Sequence, residues 1–211
     1  MIRFLLVMPL LFATLTSHAE QIEVEYKRFY SHISKIGDDS TSALQFAFGF
    51  MHVRNKTLCH IHSATIVTQK VDIPLTVSPE QRFLVPKEKA LKLADASIVI
   101  DLAEAANLCD MSVQLETTDK YVKQQYSSAD LALIKAQYDA FFDDMGGFLS
   151  FMMPAVSGLK IQFADKSLNQ TIVGAPPVTN GALILDNYWL EQGKPLNLPV
   201  KPLRITALAE E

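Results

Sequence analysis

Leu44-Gln45-Phe46-Ala47-Phe48-Gly49-Phe50 places a large apolar residue at every second position. Side chains alternate across a strand, so this stretch reads as a strand with one buried face. The polar turn Arg54-Asn55-Lys56 follows, and Leu58 to Val67 then reads as a second strand. The two are a predicted hairpin. Short strands continue downstream: Ile73 to Val77, Arg82 to Val85 ended by Pro86, and Ser97 to Asp101. Met111, Val113 and Leu115 alternate with Ser112, Gln114 and Glu116. Short strands at this spacing, broken by prolines and polar turns, predict a sandwich-like antiparallel β unit. Upstream, Ile22 and Val24 alternate with Glu23 and Glu25. From Tyr26 the period changes, and Tyr26, Phe29, Tyr30 and Ile33 make a helical stripe that ends before Gly37-Asp38-Asp39-Ser40.

Beyond residue 120 the pattern turns helical. Leu131, Ile134, Tyr138, Phe141, Phe142 and Met145 recur at intervals of three and four. Ser127 and Asp130 have the spacing of a capping box, with Asp in place of the usual Glu. The main helix is predicted over about 128–146, ended by Gly146-Gly147. A smaller β unit follows. Leu159, Ile161 and Phe163 alternate, Asn180-Gly181 signals a turn before Ala182 to Leu185, and Leu196-Asn197-Leu198 and Leu203 to Leu208 read as closing strands. The fold class is therefore α+β, mostly β. Residues 20–120 form a β domain and 127–211 the helix with the C-terminal β unit. Whether the two share one core is open at this level.

The first 19 residues read as a secretory signal. Arg3 is the basic start, Phe4 to Leu15 is the apolar run, and Ser17-His18-Ala19 is a small-x-small cleavage site. The apolar run is too short to span a bilayer. Cleavage after Ala19 predicts a periplasmic protein. The formal charge of the whole chain is −4, with 19 basic and 23 acidic residues. This mild acidity, without basic clusters, excludes a nucleic-acid partner. No later segment reads as a transmembrane span.

The two cysteines, Cys59 and Cys109, are expected to pair in an oxidising compartment. Two buried thiols or a metal ligand are the other readings. His60 and His62 face one side of a strand, and with His52 they are the nearest approach to a Zn or Cu site. Two imidazoles fall short of a ligand set, so no metal and no cofactor is assigned. Ser150 and Ser157 lack a nucleophile elbow. Asp143-Asp144 and Asp38-Asp39 do not form facing carboxylate pairs, so no catalytic residue is assigned. The apolar run from Met145 to Met153 is the most unusual feature. Phe148, Leu149, Phe151 and Met152 form a candidate patch for a partner or a lipid, against burial on the sheet.

Gly147-Phe148-Leu149-Ser150-Phe151-Met152-Met153-Pro154 and Gly158-Leu159-Lys160-Ile161-Gln162-Phe163 carry a family resemblance. So do Tyr26-x-x-Phe29-Tyr30, Leu58-Cys59-x-Ile61, Pro86-x-x-x-Ala90-Leu91, Cys109-Asp110 and Leu198-Pro199-x-x-Pro202-x-Arg204-Ile205. Over nearly all of the mature chain the sequence resembles domain-of-unknown-function family 2987 (DUF2987), exported proteins of Gram-negative gammaproteobacteria. The resemblance implies a periplasmic address and supports the Cys59–Cys109 pair. It implies no activity and no site residue. The function expected is that of a non-enzymatic binding protein of the cell envelope, its partner a protein or a lipid. Two alternatives are a periplasmic hydrolase with a dispersed site and a metal-binding module through His60 and His62.

Overall fold

The computed structural model describes residues 20–146 and 155–209. The expected signal over 1–19 and the candidate patch residues Phe148, Leu149, Phe151 and Met152 lie outside the described residues.

Strand β1 (Glu20–Glu25) runs into helix α1 (Tyr26–Ile33), as the change of period predicts. The α1 stripe buries Tyr26, Phe29 and Ile33. Phe29 meets Phe48 edge to face at 5.0 Å, and Phe48 lies on β2 (Leu44–His52). A fully buried Phe contributes about 2–3 kcal/mol, so this one contact face anchors α1. The chain continues through β3 (Ile61–Val67), β4 (Asp72–Leu75), β5 (Phe83–Leu84), α2 (Lys89–Leu93), β6 (Ser97–Leu102), β7 (Cys109–Thr117) and β8 (Gln125–Tyr126).

The β2–β3 hairpin does not form. One bridge joins Met51 to Leu58, and Cys59 N–H donates to the Phe50 carbonyl at 2.8 Å. The chain then crosses to another sheet, ordered β1-β6-β3-β4. Strand β2 pairs instead with β7, in register from Leu44 opposite Thr117 to His52 opposite Cys109, and with β5 on its other edge. Both edges of β2 are thus filled by strands distant in sequence. The sheets are antiparallel throughout, but they stay separate and the expected sandwich is not closed.

Among the described residues helix α3 (Ser128–Gly146) is the one long helix, and it buries Leu131, Ile134, Gln137, Tyr138 and Phe141. The last sheet is ordered β10-β9-β12, with β9 (Val156–Gln162) between β10 (Ala182–Asp186) and β12 (Arg204–Ala209). The Asn180-Gly181 signal holds locally. Both residues have positive φ, 50° and 69°, and Thr179 and Ala182 exchange backbone hydrogen bonds across them, as a type I′ turn requires. Short helix α4 (Asn187–Glu191) was not expected from the sequence; the Asp186 carboxylate caps it by accepting from Trp189 N–H at 2.7 Å. Strand β11 (Leu196–Asn197) pairs with β8. One cluster of buried side chains runs from Tyr26 through Phe48, Ile100 and Tyr138 to Leu159 and Ile205.

Candidate functional site

The polar faces of two sheets meet where β12 lies beside β7. On β7, Ser112, Gln114 and Glu116 share one face, opposite Gly49, Ala47 and Gln45 of β2. On the last sheet, Lys160 and Gln162 of β9 pair with Thr206 and Arg204 of β12. Ile205 N–H donates to Thr117 Oγ1 at 3.2 Å and stitches the two sheets together.

Arg82 is placed over this junction by the turn Ser78–Arg82. Ser78 N–H donates to the Arg82 carbonyl at 2.7 Å, and Gln81 takes a positive φ of 60°. Gly49 permits the close approach: a Cβ there would lie 2.7 Å from the Gln81 carbonyl oxygen. The Arg82 guanidinium donates through Nη1 to the Ser112 carbonyl at 3.1 Å and through Nη2 to Ser112 Oγ at 3.2 Å. Its Nε is buried without a hydrogen-bond partner. Arg204 pairs with Glu116 at 2.9 Å and also donates to Gln114 Oε1 at 3.2 Å. The Arg204 and Glu116 side chains are only 10% and 12% exposed.

Two buried guanidiniums therefore lie near one largely buried carboxylate, which is bonded to Arg204 and not to Arg82. Burial pulls the Arg82 pKa down, the neighbouring Arg204 pulls it further, and Glu116 opposes both. Burial pushes the Glu116 carboxyl up, against the pull of Arg204, Gln45 and Arg82. A buried charge costs several kcal/mol unless it is paired, and here one positive charge is left over.

A cleft of about 900 Å³ opens onto this floor. Lys56, Lys160 and Lys166 line it with Arg82 and Arg204, and among the described residues Glu80 is its one acidic residue. A second cleft of about 540 Å³ shares Glu80, Arg82, Leu203 and Arg204 with the first and reaches Glu116. Among the described residues, none of the three lysines has a carboxylate within ion-pair distance.

The residues singled out from the sequence lie elsewhere. Cys59 and Cys109 are joined in a disulfide, 50 positions apart in sequence. The His60 and His62 rings stand 5.0 Å apart and are exposed. A register shift between Ile61 and Ser63 turns His62 outward along with Ser63. His52 accepts from Arg54 N–H. Among the described residues, the ligand types that come together in a set of three are Cys59, Glu104 and Cys109, and their sulfurs are bonded to each other. Ser157 Oγ donates to the Leu208 carbonyl. Asp38 accepts from Ser40 and Thr41 in a turn, and Asp143 and Asp144 are exposed on α3. Sequence reasoning passed over Arg82, Arg204 and Glu116. Their signal was a lone charge beside an apolar run, as in Arg82-Phe83-Leu84-Val85 and Leu203-Arg204-Ile205.

No helix among the described residues is long and apolar enough to cross a membrane, which leaves β-barrel spans unaddressed. No curated protein and no solved structure matches the chain. A family model described as "Protein of unknown function (DUF2987)" matches residues 18–163. That span holds Arg82, Glu116 and Lys160 of the cleft and ends before Lys166 and Arg204. With well over half of its length matched, the chain belongs to the DUF2987 family.

Proposed function

We propose that this is an exported binding protein, processed after Ala19 and working in the periplasm, that holds a ligand in the Arg82–Arg204 cleft without turning it over. The observation that carries the reading is the cleft itself, built where two sheets meet and floored by buried, hydrogen-bonded charge. Ligand sites are concave, with a few fixed polar groups in an otherwise apolar lining. Here Met51, Leu58 and Phe163 supply apolar wall beside the guanidiniums. The address rests on the signal over 1–19, and the Cys59–Cys109 disulfide is in keeping with an oxidising compartment.

The test is co-elution. The chain from Glu20 is incubated with a periplasmic small-molecule extract, desalted, and the retained compounds are read by mass spectrometry. The expected result is a compound carried unchanged by the wild type and lost in Gln162→Trp and in Lys166→Trp, which fill the cleft from a strand and from a loop. A chemically altered compound, or equal retention by wild type and both variants, overturns the reading.

A further inference from the structure

We infer that the cleft recognises an anionic ligand bearing phosphate or carboxylate groups, which seats against the Arg82–Arg204 floor and is held at its rim by Lys160 and Lys166. This rests on the cleft being the binding site.

The charge balance carries the inference. The whole chain is acidic, at −4, yet five basic side chains and one acidic one line this cleft. A cleft of one sign with low-dielectric walls focuses its field and draws the opposite charge, whatever the net charge of the molecule. At the floor, Arg82 is 9% exposed and Arg204 8%. The nearby carboxylate, Glu116, is committed to Arg204 at 2.9 Å and to the Gln45 amide at 3.4 Å. Arg82 is held by a serine and backbone carbonyls alone, so its charge has no acidic partner in hydrogen-bond contact. Guanidinium groups suit planar, bidentate recognition of carboxylate and phosphate.

The neutral groups point the same way. Gln114 gives its carbonyl oxygen to Arg204, which leaves its amide nitrogen as a donor. The field and the donors together favour an acceptor-rich ligand. The three lysines are spread over separate elements: Lys56 follows β2, Lys160 lies on β9, and Lys166 follows β9. That spread fits a ligand with more than one anionic group rather than a single small ion.

The experiment is isothermal titration calorimetry on the chain from Glu20, with inorganic pyrophosphate, citrate and neutral maltotriose as probes. The expected result is one site per chain for at least one of the two anions, weakening as sodium chloride is raised, and no heat with maltotriose. Binding of either anion supports the inference, and the tighter of the two names the headgroup. Lys160→Gln with Lys166→Gln is expected to weaken that binding about tenfold or more. The same variant keeps its unliganded melting temperature, since neither lysine makes an ion pair. If no anion binds while an extract compound still co-elutes through the cleft, the anionic reading falls and the cleft reading stands. If an anion binds equally to wild type, to the lysine variant and to Gln162→Trp, both readings fall.

Discussion

Ser127 and Asp130 hold the start of α3 by exchange. Ser127 Oγ accepts from Asp130 N–H at 3.1 Å, and the Asp130 carboxylate accepts from Ser127 N–H at 2.9 Å. Lys123 adds an ion pair at 2.7 Å. The Lys123 hydrogen bond, then those from Ser127, pull the Asp130 pKa from 3.8 down to about 2. Because the folded value is the lower one, this stabilisation is full above about pH 4 and is lost as pH falls toward 2. Asp130→Asn should therefore differ from wild type at neutral pH by no more than about 1 kcal/mol, since the group is partly exposed to solvent. The difference should shrink as pH falls from about 4 and vanish only below about pH 2, as read by urea unfolding across pH; a constant gap over that range would count against the cap. The buried pair behaves differently. Glu116→Gln leaves Arg82 and Arg204 side by side without a carboxylate, and should cost about 3 kcal/mol in the same assay at neutral pH. A loss under 1 kcal/mol would mean the guanidiniums find water instead. The cap was legible because its two partners are three residues apart. The Arg204–Glu116 pair was not, because its partners are 88 residues apart and only the fold brings them together.

Elements follow the same division between local and distant. The α1 stripe, the alternation of β1 and β2 and the period of α3 depend on neighbours along the chain, and the structure places all of them where the pattern predicts. Strand partners depend on neighbours in space. Alternation told which face of β2 carries its large apolar side chains, although Ala47 and Gly49 on the other face are buried too, and a strand has two edges and no residue code for what fills them. The nine-residue register with β7 displaced the hairpin partner that lay nearest in sequence. The disulfide marks that crossing, since Cys59 leads into β3 and Cys109 opens β7. It closes a loop of about 50 residues, worth about 4 kcal/mol in the chain-entropy account. Cys59→Ala with Cys109→Ala should lower the unfolding free energy by roughly that amount in guanidinium titration, and the β2–β7 register should persist. A variant that loses its β signal altogether would show that the bridge directs pairing rather than only holding it.

At the scale of the whole molecule, the question is whether residues 20–120 and 127–211 stand apart. Tyr138 of α3 donates to the Ile205 carbonyl of β12 at 2.8 Å, inside the core. Gln137 of α3 accepts from Ala43 N–H and donates toward Asp39 and Ser42. Arg204 of β12 reaches Glu116 of β7, and Ile205 reaches Thr117. Each of these contacts joins one half to the other, and each is buried or partly buried, so separating the halves would strand polar groups that water does not reach in the folded state. The apolar cluster crosses the same boundary. The chain from Glu20 is therefore expected to unfold in one calorimetric transition, with calorimetric and van't Hoff enthalpies equal. A fragment of residues 20–120 should not fold alone, because β7 would lose β12 beside it and Phe46 of β2 would lose its contact with Phe141 of α3. Two resolved transitions, or a folded fragment with its native disulfide, would overturn this. The cleft depends on the outcome, because Arg82 and Gln114 come from one half and Lys160, Gln162 and Arg204 from the other. If the halves fold only together, the binding surface exists only in the complete fold, and a ligand seated on it should raise the midpoint of that single transition rather than of either half.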